Sequence, residues 1–298
     1  MAQPTSGNEF APGEGCIGAG ITSIIVKRGN KAIKRLMRYS IASDESPRRR
    51  GELEHLMEIS AIQIRHEKTV YEHLGKHDDI ITAWYDLQSE EPEITMPCMD
   101  HGSVQDYLLR QKPAEYLQMA WAKTLANAVA YCHKKNVLIA DIGSRNCLLD
   151  TDFSLKLCDF GHSFIVDADI DITQANDYGV TVKTDIAQFG LVLYELCTGK
   201  VLNWGGQYAP HFAEKTVGDG TGSDPGVEEE WPELDSLPST EGILFGEIIR
   251  KCWTKAYCRM EQIANDLAQL SSASTYVEPC DKGNKSTFGA MDGLGTIS

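Results

Sequence analysis

Asp141-Ile142-Gly143-Ser144-Arg145-Asn146 and, a little further on, Asp159-Phe160-Gly161 decide the fold. The first acidic residue is followed five positions later by Asn, and the second comes 18 positions after the first. Asp, Asn and Ser favour turns because their short side chains bond the local backbone, and Gly because it tolerates any φ. Around them lie short apolar runs at 137–139, 147–149 and 155–158, each the length of a buried strand. Taken alone, this is turn chemistry between short strands. Its setting is more specific. In front stands the clearest amphipathic helix of the chain, 113–134, with Leu117, Trp121, Leu125, Ala128, Val129 and Cys132 at three- and four-residue steps. Behind stands a strongly apolar helix, 185–198, closed by Gly199.

Further towards the N-terminus, β-branched residues between 15 and 37 predict strands, with Gly29-Asn30 as a hairpin turn. A polar loop is expected at 43–51. A helix follows over 52–74, with Leu53, Leu56, Ile59, Ile62 and Ile64 apolar and Gly75 as its stop. Strands are predicted at 80–87 and 94–96, and Ser103 caps a helix over 104–110. Towards the C-terminus come an acidic, Gly-rich loop at 217–238 and two helices at 242–253 and 260–270. Residues 1–14 and 271–298 read as disordered tails. Strands with one helix come first and helices with short strands after, so two lobes meet near 97–102, a seam of the kind that holds ligands.

The 298 residues suffice for about two domains at roughly 150 residues each, or one bilobal domain. Hydrophobic content of 42% and charged content of 24% exclude a mostly disordered chain, a collagen-like fibre and a coiled coil. No apolar run reaches the roughly 18 residues of a membrane span. The polar N-terminus is no signal peptide, and Ala2 excludes myristoylation. A net charge of −15 repels nucleic acid and anionic lipid, so neither nucleic acid nor membrane is expected as a partner. Cys132, Cys147, Cys158, Cys197 and Cys252 sit in apolar segments, and there is no C-x-x-C pair. Buried free thiols in a reducing, cytoplasmic setting are therefore expected.

The D-x-x-x-x-N loop and D-F-G at this spacing resemble the catalytic loop and metal-binding turn of the eukaryotic protein kinase superfamily. The resemblance covers about residues 15–270 and implies an α+β, bilobal fold. A small β-rich lobe with one main helix would span 15–98, and a larger, mostly helical lobe 99–270. It also implies an ATP- and Mg²⁺- (or Mn²⁺-) dependent protein kinase acting on a protein hydroxyl. Asp141 would orient the acceptor, while Asn146 and Asp159 would hold the metal. Ile17-Gly18-Ala19-Gly20-Ile21-Thr22-Ser23 looks like the glycine loop over the phosphates, with Ser23 where the family has its third glycine. Lys31-Ala32-Ile33-Lys34 is similar to V-A-I-K, which makes Lys34 the phosphate-binding lysine and Glu67 its helical partner, with Glu58 and Glu72 as competitors. Met96 falls at the gatekeeper position and 97–99 at the hinge, where the Pro97 carbonyl and the Met99 N–H would meet adenine. Ile17, Ile25, Ala32 and Leu148 would enclose the base. Asp185 resembles the residue that supports the catalytic-loop backbone.

The chain also departs from that pattern. Ile139-Ala140 stand where the family has His-Arg, and the arginine is the usual grip on a phosphorylated activation loop. Only 26 positions separate Asp159 from Asp185, and A-P-E is absent, so the platform for a peptide substrate is short. Gly143 and Arg145 in the catalytic loop leave the acceptor, Ser/Thr or Tyr, open. These departures support the alternative of a pseudokinase, a nucleotide-binding or empty scaffold acting through a regulatory protein partner.

Overall fold

In the computed structural model, which describes residues 10, 13–20, 23–174, 179–201 and 237–274, the first strands form one antiparallel sheet. Its order is β1 (Glu14–Ala19), β2 (Ser23–Arg28), β3 (Lys31–Leu36) and β4 (Glu93–Pro97). The register puts Lys34 opposite both Ile25 and Ile94, and Ala32 opposite Met96. Alternation along a strand then sends Ala32 and Lys34 to one face.

The long helix α1 (Pro47–Leu74) packs against β3 and β4 and buries Leu53, Ile59, Ile64, Val70, Tyr71 and Leu74. It starts five residues earlier than its apolar period predicts. Ser46 caps it, accepting from the Arg49 N–H at 3.3 Å, and Pro47 supplies the fixed φ of a first helical residue. The arginines 48–50, read as loop, belong to its first turn, Arg48 exposed and Arg49 and Arg50 half-buried.

The segment 80–87, expected as a strand, is not one. It touches its neighbours through isolated bridges, Ile80 with Leu157 and Trp84 with Thr95. The Asp86 carbonyl then accepts from the buried Lys68 ammonium at 2.8 Å and from the Ser89 N–H at 3.4 Å, so a turn stands where a further ladder pair would be.

The second lobe holds α2 (Val104–Leu108), α3 (Glu115–Lys134), α4 (Val182–Thr198), α5 (Gly246–Trp253) and α6 (Met260–Ser274). Ser103 caps α2 in a reciprocal box with Asp106. A second box, Thr181 with Thr184, starts α4 three residues before its apolar run. Gly190 on α4 lets α5 approach closely, since a Cβ there would stand 2.8 Å from Cys252 Cβ. Between α3 and α4 run the two-stranded ladders of β5 (Val137–Leu138) with β8 (Phe164–Ile165) and β6 (Cys147–Leu149) with β7 (Leu155–Leu157). One buried cluster runs from Ile64 and Tyr71 through Phe160 to Trp253 and Leu267, so the core is continuous between the lobes.

The tails shrink at both inner edges. Glu14 already belongs to β1, and α6 continues to Ser274. The remaining tail residues, Phe10 and Gly13 apart, and most of the acidic loop lie outside the described residues. All eight described cysteines are free, and the five placed in apolar segments are buried.

Candidate active site

A cavity of about 270 Å³ opens between the two lobes. Its volume is close to the lower bound, about 300 Å³, of small-molecule sites. Sheet residues form its roof: Ile17, Gly18, Ile25 and Ala32 all line it. Met96, Pro97 and Met99 form its back and edge, and Leu148 on β6 its floor. In the connection between the lobes, the Cys98 N–H donates to the Asn30 carbonyl at 2.8 Å. Among the described residues no backbone partner is found for the Met99 N–H.

At the inner end three charges meet. Lys34 Nζ donates to Glu67 Oε2 at 2.6 Å and to Asp159 Oδ1 at 2.8 Å. Lys34 and Glu67 are buried, while 38% of the Asp159 side chain stays open to the cleft. Burial opposes the Lys34 charge, but the carboxylates of Asp159 and Glu67 outweigh it and hold the ammonium above its ordinary range. Burial pushes the Glu67 carboxyl up, and Lys34 pulls it only part of the way back. Burial works the same way on Asp159, but there Lys34 wins and its carboxyl lies below the usual range. Of the three helix glutamates weighed from the sequence, Glu67 is the one that reaches Lys34. Its other oxygen accepts from the Phe160 N–H at 3.3 Å. His66 adds a second tie between α1 and this turn, its Nε2 donating to the Ser163 carbonyl at 2.6 Å. Phe160 is fully buried, edge-on to Tyr71 with ring centroids 5.2 Å apart.

Asp141 lies just beyond the cavity lining. Asn146 Nδ2 donates to its carbonyl at 2.8 Å and to its Oδ2 at 3.0 Å. Both bonds use the amide nitrogen, which directs the Asn146 Oδ1 elsewhere, and Asn146 itself lines the cavity. Arg145 pairs with Asp141 Oδ1. A Cβ on Gly143 would stand 2.8 Å from Arg145 Nη1, so the glycine makes room for the guanidinium to fold back.

The loop that carries Asp141 hangs on buried side chains. Asp185, fully buried in the first turn of α4, accepts from the Ile139 N–H (2.9 Å), the Ala140 N–H (2.8 Å) and His133 Nε2 (2.8 Å). Ser163 Oγ donates to the Ile139 carbonyl at 3.2 Å. Ala140 and Asp159 both have left-handed backbone, with φ of +64° and +66°, a conformation costing about 1–2 kcal/mol for a residue with a Cβ. Such strain concentrates where surrounding bonds over-determine the backbone.

Besides Asp141, two residues expected at the site lie away from the lining. Gly20 and Ser23 are joined to each other, the Gly20 N–H donating to the Ser23 carbonyl at 2.8 Å, and the cavity meets the hairpin at Ile17 and Gly18 instead. Ile21 and Thr22 lie outside the described residues. Conversely, Ile81, Gly102, Ser103 and Asp106 line the cavity without having been expected there, and Cys98 lines it within the expected hinge. So do Arg145 and Cys158, although each is next in sequence to a predicted metal ligand.

The sequence matches the protein kinase domain over residues 14–256. Among curated proteins it is 29% identical over 216 residues to the probable serine/threonine-protein kinase PBL24 of Arabidopsis thaliana, covering 64% of this chain and 51% of that protein. It is 34% identical over 125 residues to the receptor-like kinase LIP1 of the same plant, 33% of this chain and 19% of that one. A probable LIM domain-containing serine/threonine-protein kinase of Dictyostelium discoideum matches at 27% over 198 residues, 58% of this chain and 27% of its own. The chain therefore spans about half or less of the length of these relatives.

Proposed function

Because this chain belongs to the protein kinase domain family, we propose that it is an ATP- and Mg²⁺-dependent phosphotransferase acting on a protein hydroxyl. The observation that carries the reading is Lys34 bridging Glu67 and Asp159 at the inner end of an apolar cleft. Ala32, Ile25 and Leu148 suit the faces of a purine, and the Met99 N–H suits its edge. Lys34 meets the phosphates. The metal site fits the residues present. One carboxylate, on Asp159, and one amide oxygen, on Asn146, are the sparse hard-oxygen set that Mg²⁺ or Mn²⁺ uses when phosphates complete its shell. When bound, the ion neutralises charge on the phosphates.

Asp141 accepts the proton of the acceptor hydroxyl as its oxygen bonds to the γ-phosphorus. The bond from that phosphorus to the β–γ bridging oxygen breaks, and ADP leaves with the electron pair. Positioning and charge supply most of the rate in such transfers, so a short substrate platform slows the reaction without removing it. The buried free thiols support a reducing, cytoplasmic setting. Among the described residues no helix is long and apolar enough to cross a membrane.

Mg-ATP is expected to raise the unfolding midpoint of the parent, since a ligand that binds only the folded state stabilises it. Asp159→Asn should respond equally to ATP with and without Mg²⁺. A full Mg²⁺ effect in that variant would remove Asp159 from the metal site. No shift of the parent at millimolar Mg-ATP would favour an empty scaffold.

A further inference from the structure

Gln188 is a residue that neither the sequence pattern nor the cavity lining draws attention to. It lies one turn along α4 from Asp185, on the face that looks at the catalytic loop. Its Nε2 donates to the Ala140 carbonyl at 2.9 Å, and its Oε1 accepts from the Ile142 N–H at 2.9 Å. The partners fix the orientation of the amide, because a carbonyl can only accept and an N–H can only donate. One side chain therefore holds the residues immediately before and after Asp141. With it, six backbone groups from Ile139 to Ile142 are held by side chains. Asp185 takes the N–H groups of Ile139 and Ala140, Ser163 the carbonyl of Ile139, and Asn146 the carbonyl of Asp141. Gln188 supplies two of these ties, on either side of Asp141 and next to the left-handed turn at Ala140.

We propose that Gln188 is a positioning residue that sets Asp141 from the helix beneath it, so that the loop is ordered without a phosphate on the activation segment. The proposal rests on the reading of Asp141 as the group that meets the acceptor. An amide suits the task because its donor and its acceptor sit on two separate atoms of one planar end and so span two backbone groups, whereas an ionised carboxylate only accepts. Ala140 has no guanidinium to recruit a phosphate, and it is buried between Asp185 and Gln188, each of which bonds one side of its peptide.

The test replaces Gln188 with Leu, which fills similar volume without polar atoms, and with Glu, which keeps the acceptor and loses the donor. Two quantities are read on the full chain: amide hydrogen exchange at Ile142, and steady-state phosphotransfer with Mg-ATP. Gln188→Leu should raise exchange at Ile142 at least 10-fold and lower kcat about 10-fold, with KM for ATP within twofold of the parent. Gln188→Glu should retain protection at Ile142 and still lose kcat, because its carboxylate faces the Ala140 carbonyl. Unchanged exchange and unchanged kcat in Gln188→Leu would overturn the proposal. So would an equal rise in KM and fall in kcat, which marks general loosening of the lobe. If the parent transfers no phosphate, the reading of the function fails, and exchange at Ile142 alone still decides whether Gln188 braces the loop.

Discussion

Asp185→Ala is expected to cost about 3–5 kcal/mol of stability and to abolish phosphotransfer. The fully buried carboxylate accepts three bonds, from the Ile139 and Ala140 N–H groups and from His133, and the alanine would leave all three donors without it. Each buried polar group stripped of its partner costs about 1–3 kcal/mol, and three in one place relax together rather than add fully. At about 2–4 °C per kcal/mol for a domain of this size, the unfolding midpoint should fall by roughly 10 °C. Asp185→Asn should lose less, since one amide oxygen still accepts while its NH₂ faces a donor. Urea unfolding with a common slope checks both variants. A loss under about 1 kcal/mol for the alanine would show that the loop finds other partners.

Lys34→Met is expected to destabilise the protein by about 3 kcal/mol at pH 8, and by clearly less at pH 5. Removing one partner of a buried ion pair costs about 3–5 kcal/mol, and the part of Asp159 open to the cleft argues for the lower end. The pH dependence follows from Glu67. Burial already pushes its carboxyl up, and Asp159 pushes the same way, while Lys34 opposes both. Without the lysine the folded chain keeps a proton on Glu67 that the unfolded chain releases near pH 4.3. Between that pH and the raised value, stability falls as pH rises, by up to about 1.4 kcal/mol per pH unit. The Asp159 contribution in the parent, with its depressed carboxyl, is present above pH ~3.9 and is lost only at more acid pH. The Lys34 contribution, with its raised ammonium, persists to beyond pH ~10.4. Equal losses at pH 5 and pH 8 would mean that Glu67 does not take up the proton.

Local patterns made the scaffold of the site readable, and long-range geometry made up the rest. The apolar period of 113–134 and the run closed by Gly199 are properties of neighbours in sequence, and both helices form within a few residues of where they are expected. The start of α1 was missed because Ser46-Pro47 is a cap signal next to three arginines that look like loop. The segment expected as a strand at 80–87 makes only isolated bridges, at Ile80 and Trp84, before it turns at Asp86, and those partners are distant in sequence. Asp141, Asn146 and Asp159 stood out because their spacing resembles the family's motifs, and the structure brings Asn146 and Asp159 to the cavity lining. Lys34 needed the Ala-Ile pair before it, and Glu67 could be told from Glu58 and Glu72 only by which turn of α1 faces β3. Gln188, His66 and Ser163 act through backbone groups, which every residue carries, so no residue type advertised them.

Transfer of labelled γ-phosphate from Mg-ATP tests the central claim most directly, measured on the parent and on Asp141→Asn after phosphatase treatment of both. Ala140 offers no grip for a loop phosphate, so the parent should transfer phosphate slowly and at a rate that the phosphatase leaves unchanged. Asp141→Asn should lose turnover while still binding Mg-ATP, since its side chain lies outside the cavity lining. A parent that binds Mg-ATP but transfers no phosphate to itself, to peptides or to mixed lysate proteins would contradict the account and leave a nucleotide-binding scaffold in its place.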